Sequence, residues 1–246
     1  MRIVSLVPST TETVAALGAG HQLVGVTQYC TVGAPDSAER IGGTKNPSLQ
    51  AIAKLAPDLV LANTEENRVP DLDSLRAAGL QVHESFPKTV PEARDVIVEL
   101  GKLLEASDAA AAIADDIDAA LDEAEARAQA QTKRVVALTL IWRKPWMGVG
   151  PDTYADDLLW RCGFANALSG FDERYPRLEE GTLFGADVVL LPSEPYEFGE
   201  KDFPAVASLA LNTPPRLVDG ELLTWHGPRT AEGLRLFSAL AADLPT

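Results

Sequence analysis

Cysteine is scarce in this chain, with only Cys30 and Cys162 in 246 residues and no His or Cys at ligand spacing beside either. That leaves no disulfide framework and no zinc-site pattern. The three histidines, His21, His83 and His226, are scattered, and there is no His-x-x-Glu-His helix, Walker loop or nucleophile elbow. "GAG" at 18–20 ends a helical pattern instead of linking a strand to a helix, so it is no dinucleotide fingerprint. Glu65-Glu66 and Glu179-Glu180 are adjacent pairs whose side chains diverge, the pattern of a solvated surface. None of this commits the chain to bond-making chemistry, and the reading is of a non-enzyme. Basic residues are also few: 21 against 36 acidic, a formal charge of −15, which excludes a phosphate backbone as partner. No apolar run approaches the ~20 residues of a membrane span, so no membrane insertion is expected. At the start, Ile3–Val7 is stopped by Pro8 before it reaches the length of an export signal's apolar core. The chain as it stands therefore reads as cytoplasmic, and as periplasmic or extracellular if a leader has been removed.

What is present alternates. Short apolar strands are predicted at Ile3–Val7, Leu23–Val26, Leu59–Ala62 and Gln81–His83. Helices are predicted at Thr10–Leu17 (with Ser9 and Glu12 as a capping pair), Ser48–Leu55 and Asp71–Ala77. That is βαβ spacing, and it implies mostly parallel sheets. The phrase "LAPDLVLA" at 55–62 is echoed by "FGADVVLLP" at 184–192, as if two lobes were built alike. Between them Ser107–Gln131 lacks Gly and Pro and repeats Ile113, Ile117, Leu121 and Ala124 at helical spacing. A helix of roughly 24 residues spans about 36 Å. After it come a strand at Arg134–Ile141, a helix at Asp156–Gly163, a strand at Asp187–Pro192 and a closing helix at Ala231–Leu244. The expected architecture is α/β: an N-terminal lobe (1–105), a bridging helix (106–131) and a C-terminal lobe (132–246), with a ligand cleft between the lobes.

Aromatic residues make up only 6% of the chain, yet Trp142, Trp146, Tyr154 and Trp160 crowd one stretch. Trp142-Arg143-Lys144-Pro145-Trp146 follows directly after a predicted strand, and in open α/β sheets ligands bind beyond the carboxyl ends of strands. Rings beside cations suit a flat or anionic organic ligand. Trp160, inside a helical run, reads as core. "LLTWHGPRT" adds Trp225, His226 and Arg229, Tyr29 follows the strand ending at Val26, and Tyr196 follows the strand ending near Leu191. The candidate ligand-binding set is thus Tyr29, Trp142, Arg143, Trp146, Tyr196, Trp225, His226 and Arg229. No metal ligands are assigned.

The phrases "SLVPSTTE", "LVGVT", "PSLQAIAKLAPDLVLA", "LRAAGLQVHES", "GVGPDTYADDLLWRCGFANAL" and "GADVVLLPSEP" carry a resemblance that runs nearly end to end. The chain resembles the helical-backbone substrate-binding proteins of ABC importers, and within them the cobalamin-binding branch. The resemblance implies two α/β lobes joined by a long helix. It also implies a non-catalytic role in binding cobalamin, an iron–siderophore complex or haem, with no cofactor of its own and an ABC permease as partner. An enzyme or sensor acting on a corrinoid-like ligand is the alternative on the same scaffold. Departures are visible: Val32-Gly33 stands where the family has Tyr-Pro, and neutral Gln50 falls near the first-lobe docking acid. The family's disulfide partner of Cys162 falls near Ser238.

Overall fold

The computed structural model describes residues 1–179, 185–210 and 213–244; Glu180 and Phe184, which belong to the patterns above, lie outside them. Two compact units emerge. The first comprises Met1–Pro87, Pro91–Asp115 and His226–Pro228, the second Lys88–Val90, Asp116–Trp225 and Arg229–Thr246.

In the first unit the elements run β1 (Ile3–Ser5), α1 (Pro8–Ala16), β2 (Leu23–Val26), β3 (Glu39–Arg40), α2 (Leu49–Leu55), β4 (Leu59–Asn63), α3 (Val69–Ala77), β5 (Val82–Ser85) and α4 (Val90–Leu103). The sheet order is β3-β2-β1-β4-β5, and every pairing is parallel. A parallel sheet is covered on both faces, so its central strands are apolar throughout; Ile3, Val4, Val60 and Leu61 are fully buried. Helix α1 starts earlier than the capping pair suggested. Its N-cap is Val7, with no side-chain cap, and Pro8 sits in the first turn. Proline's fixed φ favours that position and needs no N–H there, so Ser9 falls inside the helix, where its carbonyl accepts from Thr13 Oγ1 at 2.9 Å. Helix α2 does use a side-chain cap, Ser48, and ends on Ala56 in the left-handed region.

Helix α5 (Ser107–Ala130) contributes its first turns to the first unit and the rest to the second. The buried stripe is Ala110, Ala114, Ile117, Ala120, Ala124 and Ala128, narrower and smaller than the Ile/Leu pattern predicted; Ile113 and Leu121 are half-buried flanks. Alanine lets neighbouring backbone approach closely at no side-chain entropy cost.

The second unit continues with β6 (Val135–Trp142), β7 (Met147–Gly148), α6 (Tyr154–Arg161), β8 (Phe164–Asn166), β9 (Val188–Pro192), α7 (Phe203–Ala210), β10 (Pro215–Val218), α8 (Gly220–Thr224) and α9 (Thr230–Asp243). Strands β10, β9, β6 and β7 are neighbours in that order, and β8 also pairs with β6. The β6–β7 hairpin pairing is antiparallel, and β6–β8, β6–β9 and β9–β10 are parallel. The core holds Leu138, Leu140, Leu168, Val189, Leu191, Val206 and Leu209.

Trp160 is a correction: it is exposed, not core. Helix α6 buries Tyr154, Ala155, Leu158 and Leu159, so Trp160 falls on the opposite side, with the Arg134 guanidinium 3.7 Å over its ring. Both cysteines are free and buried. Burial pushes the Cys162 thiol up to about 12, and its Sγ donates to the Leu234 carbonyl oxygen at 3.4 Å.

Candidate functional site

At the carboxyl ends of β6 and β9, four aromatic rings form a ladder in the second unit. Trp142 ends β6 as a strand residue, half out in solvent. Its ring meets Tyr196 edge-on at 5.8 Å. Tyr196 leans on Phe198 at 4.6 Å, and Phe198 stacks parallel to Trp146 at 6.4 Å. The ladder thus runs from an exposed ring to a buried one, since Phe198 and Trp146 belong to the core. Trp146 is therefore a support for the outer rings, while Trp142 and Tyr196 offer accessible faces. Such edge-on and stacked pairs contribute ~0.5–1.5 kcal/mol each beyond their buried area, so the outer rings are held in place before any ligand arrives.

The cations beside these rings are tethered. Arg143 Nη1 donates a short bond to Asp202 Oδ1, and Asp202 is fully buried, also accepting from the Gly199 N–H at 3.1 Å. Arg143 lies 5.7 Å from the centre of the Trp146 ring. Arg229 pairs with Glu221 at 2.9 Å and lies 5.7 Å from the half-buried Trp225 ring. Helix α8 carries Glu221, is capped by Asp219, and is joined to the loop after β9 by the Gly220 N–H donating to Ser193 Oγ at 2.9 Å. That approach is close: a Cβ at Gly220 would sit 2.5 Å from the Glu194 nitrogen. The loops that carry Tyr196, Trp225 and Arg229 are thus fastened together.

The first unit offers its own set after the carboxyl ends of β2 and β4. Tyr29 is exposed, and a Cβ on Gly43 would come 3.3 Å from its ring. Asn63, the last residue of β4, is a hub. Its Oδ1 accepts from the Glu65 and Glu66 N–H groups at 2.8 and 3.3 Å, and its Nδ2 faces His226 Nε2 at 3.2 Å. The two backbone donors fix which end of the amide faces the imidazole. Nδ2 can only donate, so His226 Nε2 is the acceptor and its proton sits on Nδ1. Loss of water pushes the His226 pKa down to about 4, so the ring is neutral near pH 7. Gly227 (φ +148°) follows, and a Cβ there would stand 2.7 Å from Thr13 Oγ1. Lys45 Nζ donates to the Glu65 carbonyl oxygen. Burial raises the Glu66 carboxyl's pKa, while Lys45 lowers it and Glu65 raises it further.

Of the eight predicted residues, Trp142, Arg143, Trp146, Tyr196, Trp225 and Arg229 lie in the second unit, Tyr29 and His226 in the first. Sequence reasoning missed Phe198, Asp202, Glu221, Asn63 and Lys45. Phe198 was available from its spacing two residues after Tyr196. Asp202 and Glu221 stand in charged stretches that look like any solvated loop. Among the described residues no group of three His, Cys, Asp or Glu is placed to hold a metal ion, and no helix is long and apolar enough to cross a membrane.

Comparison with known proteins bears on this geometry. A vitamin B12-binding protein of Vibrio cholerae is 26% identical over 197 residues, covering 78% of this chain and 70% of that one. Among solved structures, a periplasmic heme-binding protein from Roseiflexus sp. RS-1 in apo form superposes with a TM-score of 0.86 at 23% identity, covering 99% and 98% of the two chains. The periplasmic vitamin B12-binding protein of Vibrio cholerae gives a TM-score of 0.80 at 21% identity over 98% of each. At such identities the likeness establishes the fold. A family model described as periplasmic binding protein matches residues 3–179, and with most of its length so matched the chain belongs to the periplasmic binding protein family.

Proposed function

We propose that the protein is a non-catalytic binding protein for a small organic or metal-chelate ligand, a corrinoid or a porphyrin-like chelate, serving as the substrate-binding component of an importer. The observation that carries this is the aromatic ladder: Trp142 and Tyr196 present ring faces at a sheet's carboxyl edge, backed by buried Phe198 and Trp146. A large flat ligand is bound best by preorganised rings, because little side-chain freedom is lost on binding. The names of the relatives, B12-binding and heme-binding, support the same class. In the second unit Trp225 is a further candidate contact, and in the first unit Tyr29 and the neutral His226 are candidate contacts of their own. Docking on a permease, and action on the outer side of the membrane that holds it, are parts of the proposal too.

The non-catalytic part has its own test. Cyanocobalamin or hemin incubated with the protein for hours and then released by denaturation is expected to return unchanged in mass and visible spectrum. Appearance of a new corrinoid or porphyrin product, dependent on protein concentration, would overturn it and favour an enzyme.

A further inference from the structure

We infer that Asp202 and Glu221 set the charge selectivity of the second unit's ligand edge: by ion-pairing Arg143 and Arg229, they tune it to neutral acceptors such as amides and against carboxylates. This rests on the reading above. Arginine near an aromatic wall is ordinarily taken as the anchor for an anionic ligand. Here each guanidinium already has its carboxylate. Asp202 is the stronger case, being fully buried with Arg143 as its ion partner. A buried carboxylate cannot release its cation without a large electrostatic penalty. Arg143 can still donate its remaining N–H groups, but as half of a neutral pair. Glu221 does the same to Arg229 nearer the solvent, where its side chain is one-third exposed.

The surrounding charge points the same way. The loops after β6 and β9 and the turn around α8 carry Glu194, Glu197, Glu200, Asp202, Asp219 and Glu221. Against these stand Arg143, Lys144, Lys201 and Arg229, an excess of acid in a chain of net charge −15. Lys144 has no carboxylate partner among the described residues, but it is exposed, where water and salt screen it. The other predicted contacts on this edge, Trp142, Tyr196 and Trp225, are uncharged. A carboxylate placed among these groups would lose water and meet acidic neighbours, and the cations without a carboxylate partner among the described residues, Lys144 and Lys201, are exposed and screened. An amide oxygen asks only for an N–H.

The test uses two matched pairs of ligands titrated into the full chain. One is cyanocobalamin and its monocarboxylic acid, in which one amide is hydrolysed. The other is hemin and the derivative in which both propionates are amides. In whichever chelate class binds, the amide form is expected to bind the wild type about tenfold more tightly than the acid, the ratio that ~1.4 kcal/mol gives. Glu221→Gln, at the surface, is expected to narrow that ratio about threefold to tenfold by releasing Arg229. Asp202→Asn should narrow it through Arg143, and if that variant does not fold, Glu221→Gln decides. Equal binding of acid and amide by the wild type would overturn the inference while leaving the binding function standing. So would a ratio unmoved by Glu221→Gln. If neither pair binds, the ligand-class reading falls and this inference falls with it.

Discussion

Arg143→Ala is expected to destabilise the second unit by about 3–5 kcal/mol, the range for removing one partner of a buried ion pair. The cause is the carboxylate left behind. Asp202 has no exposed surface and is bonded to Arg143 and to the Gly199 N–H, so without Arg143 its carboxylate is left buried without a cation. In a chain of this size each kcal/mol moves the melting temperature by roughly 2–4 °C, so a fall of about 6 °C or more is expected by calorimetry. Replacing both members with leucine should recover much of the loss, because the penalty belongs to the orphaned charge and not to the missing attraction. A single variant within about 1 kcal/mol of wild type would show that Asp202 reaches water or another cation.

The second large effect is a dependence on pH. His226 titrates near 6.5 when unfolded and near 4 when folded. Between those values the unfolded chain binds a proton that the folded ring refuses, so stability falls as pH falls, by up to about 1.4 kcal/mol per pH unit. Its contribution is complete above pH 6.5 and fully lost below about pH 4. Protonation also sets a second N–H against Asn63 Nδ2, which has no lone pair to offer. Because the ring keeps partial exposure, the loss expected from pH 7.5 to 4.5 is about 2 kcal/mol beyond what the carboxylates contribute. Urea unfolding of wild type and His226→Gln at both pH values isolates it. The wild type should lose that much more than the variant, since an amide at 226 does not titrate. Parallel losses would place the pH dependence elsewhere.

The fold was largely legible in the sequence because its signals are local. Short apolar runs such as Leu59–Ala62 cannot bury themselves except inside a covered sheet, and the uninterrupted Ser107–Ala130 stretch has nothing to stop it being helical. Helix α4 has no counterpart among the predicted elements, although its Pro91 suits the first turn of a helix. The short strands β3, β7, β8 and β10 carry too few residues to show a period. For the site, strand ends told where to look: Trp142 and Tyr196, from the ends of β6 and β9, meet edge-on. What they could not tell was burial. Trp146, in a loop after a strand, is packed on Phe198, while Trp160, inside a helical run, stands in solvent under Arg134. Nor does a sequence show pairing over distance: Arg143 with Asp202, Arg229 with Glu221 and Asn63 with His226 are all products of the fold.

The central claim, that Trp142 and its ladder hold a chelate, is tested most directly by titrating the protein with cyanocobalamin, dicyanocobinamide and hemin while following tryptophan fluorescence. Saturable quenching by at least one of them is predicted. Trp142→Ala should weaken it by about 10- to 100-fold, the ~1.4–2.7 kcal/mol carried by a central aromatic contact. No quenching at high micromolar ligand, or equal affinity in Trp142→Ala, would contradict the account.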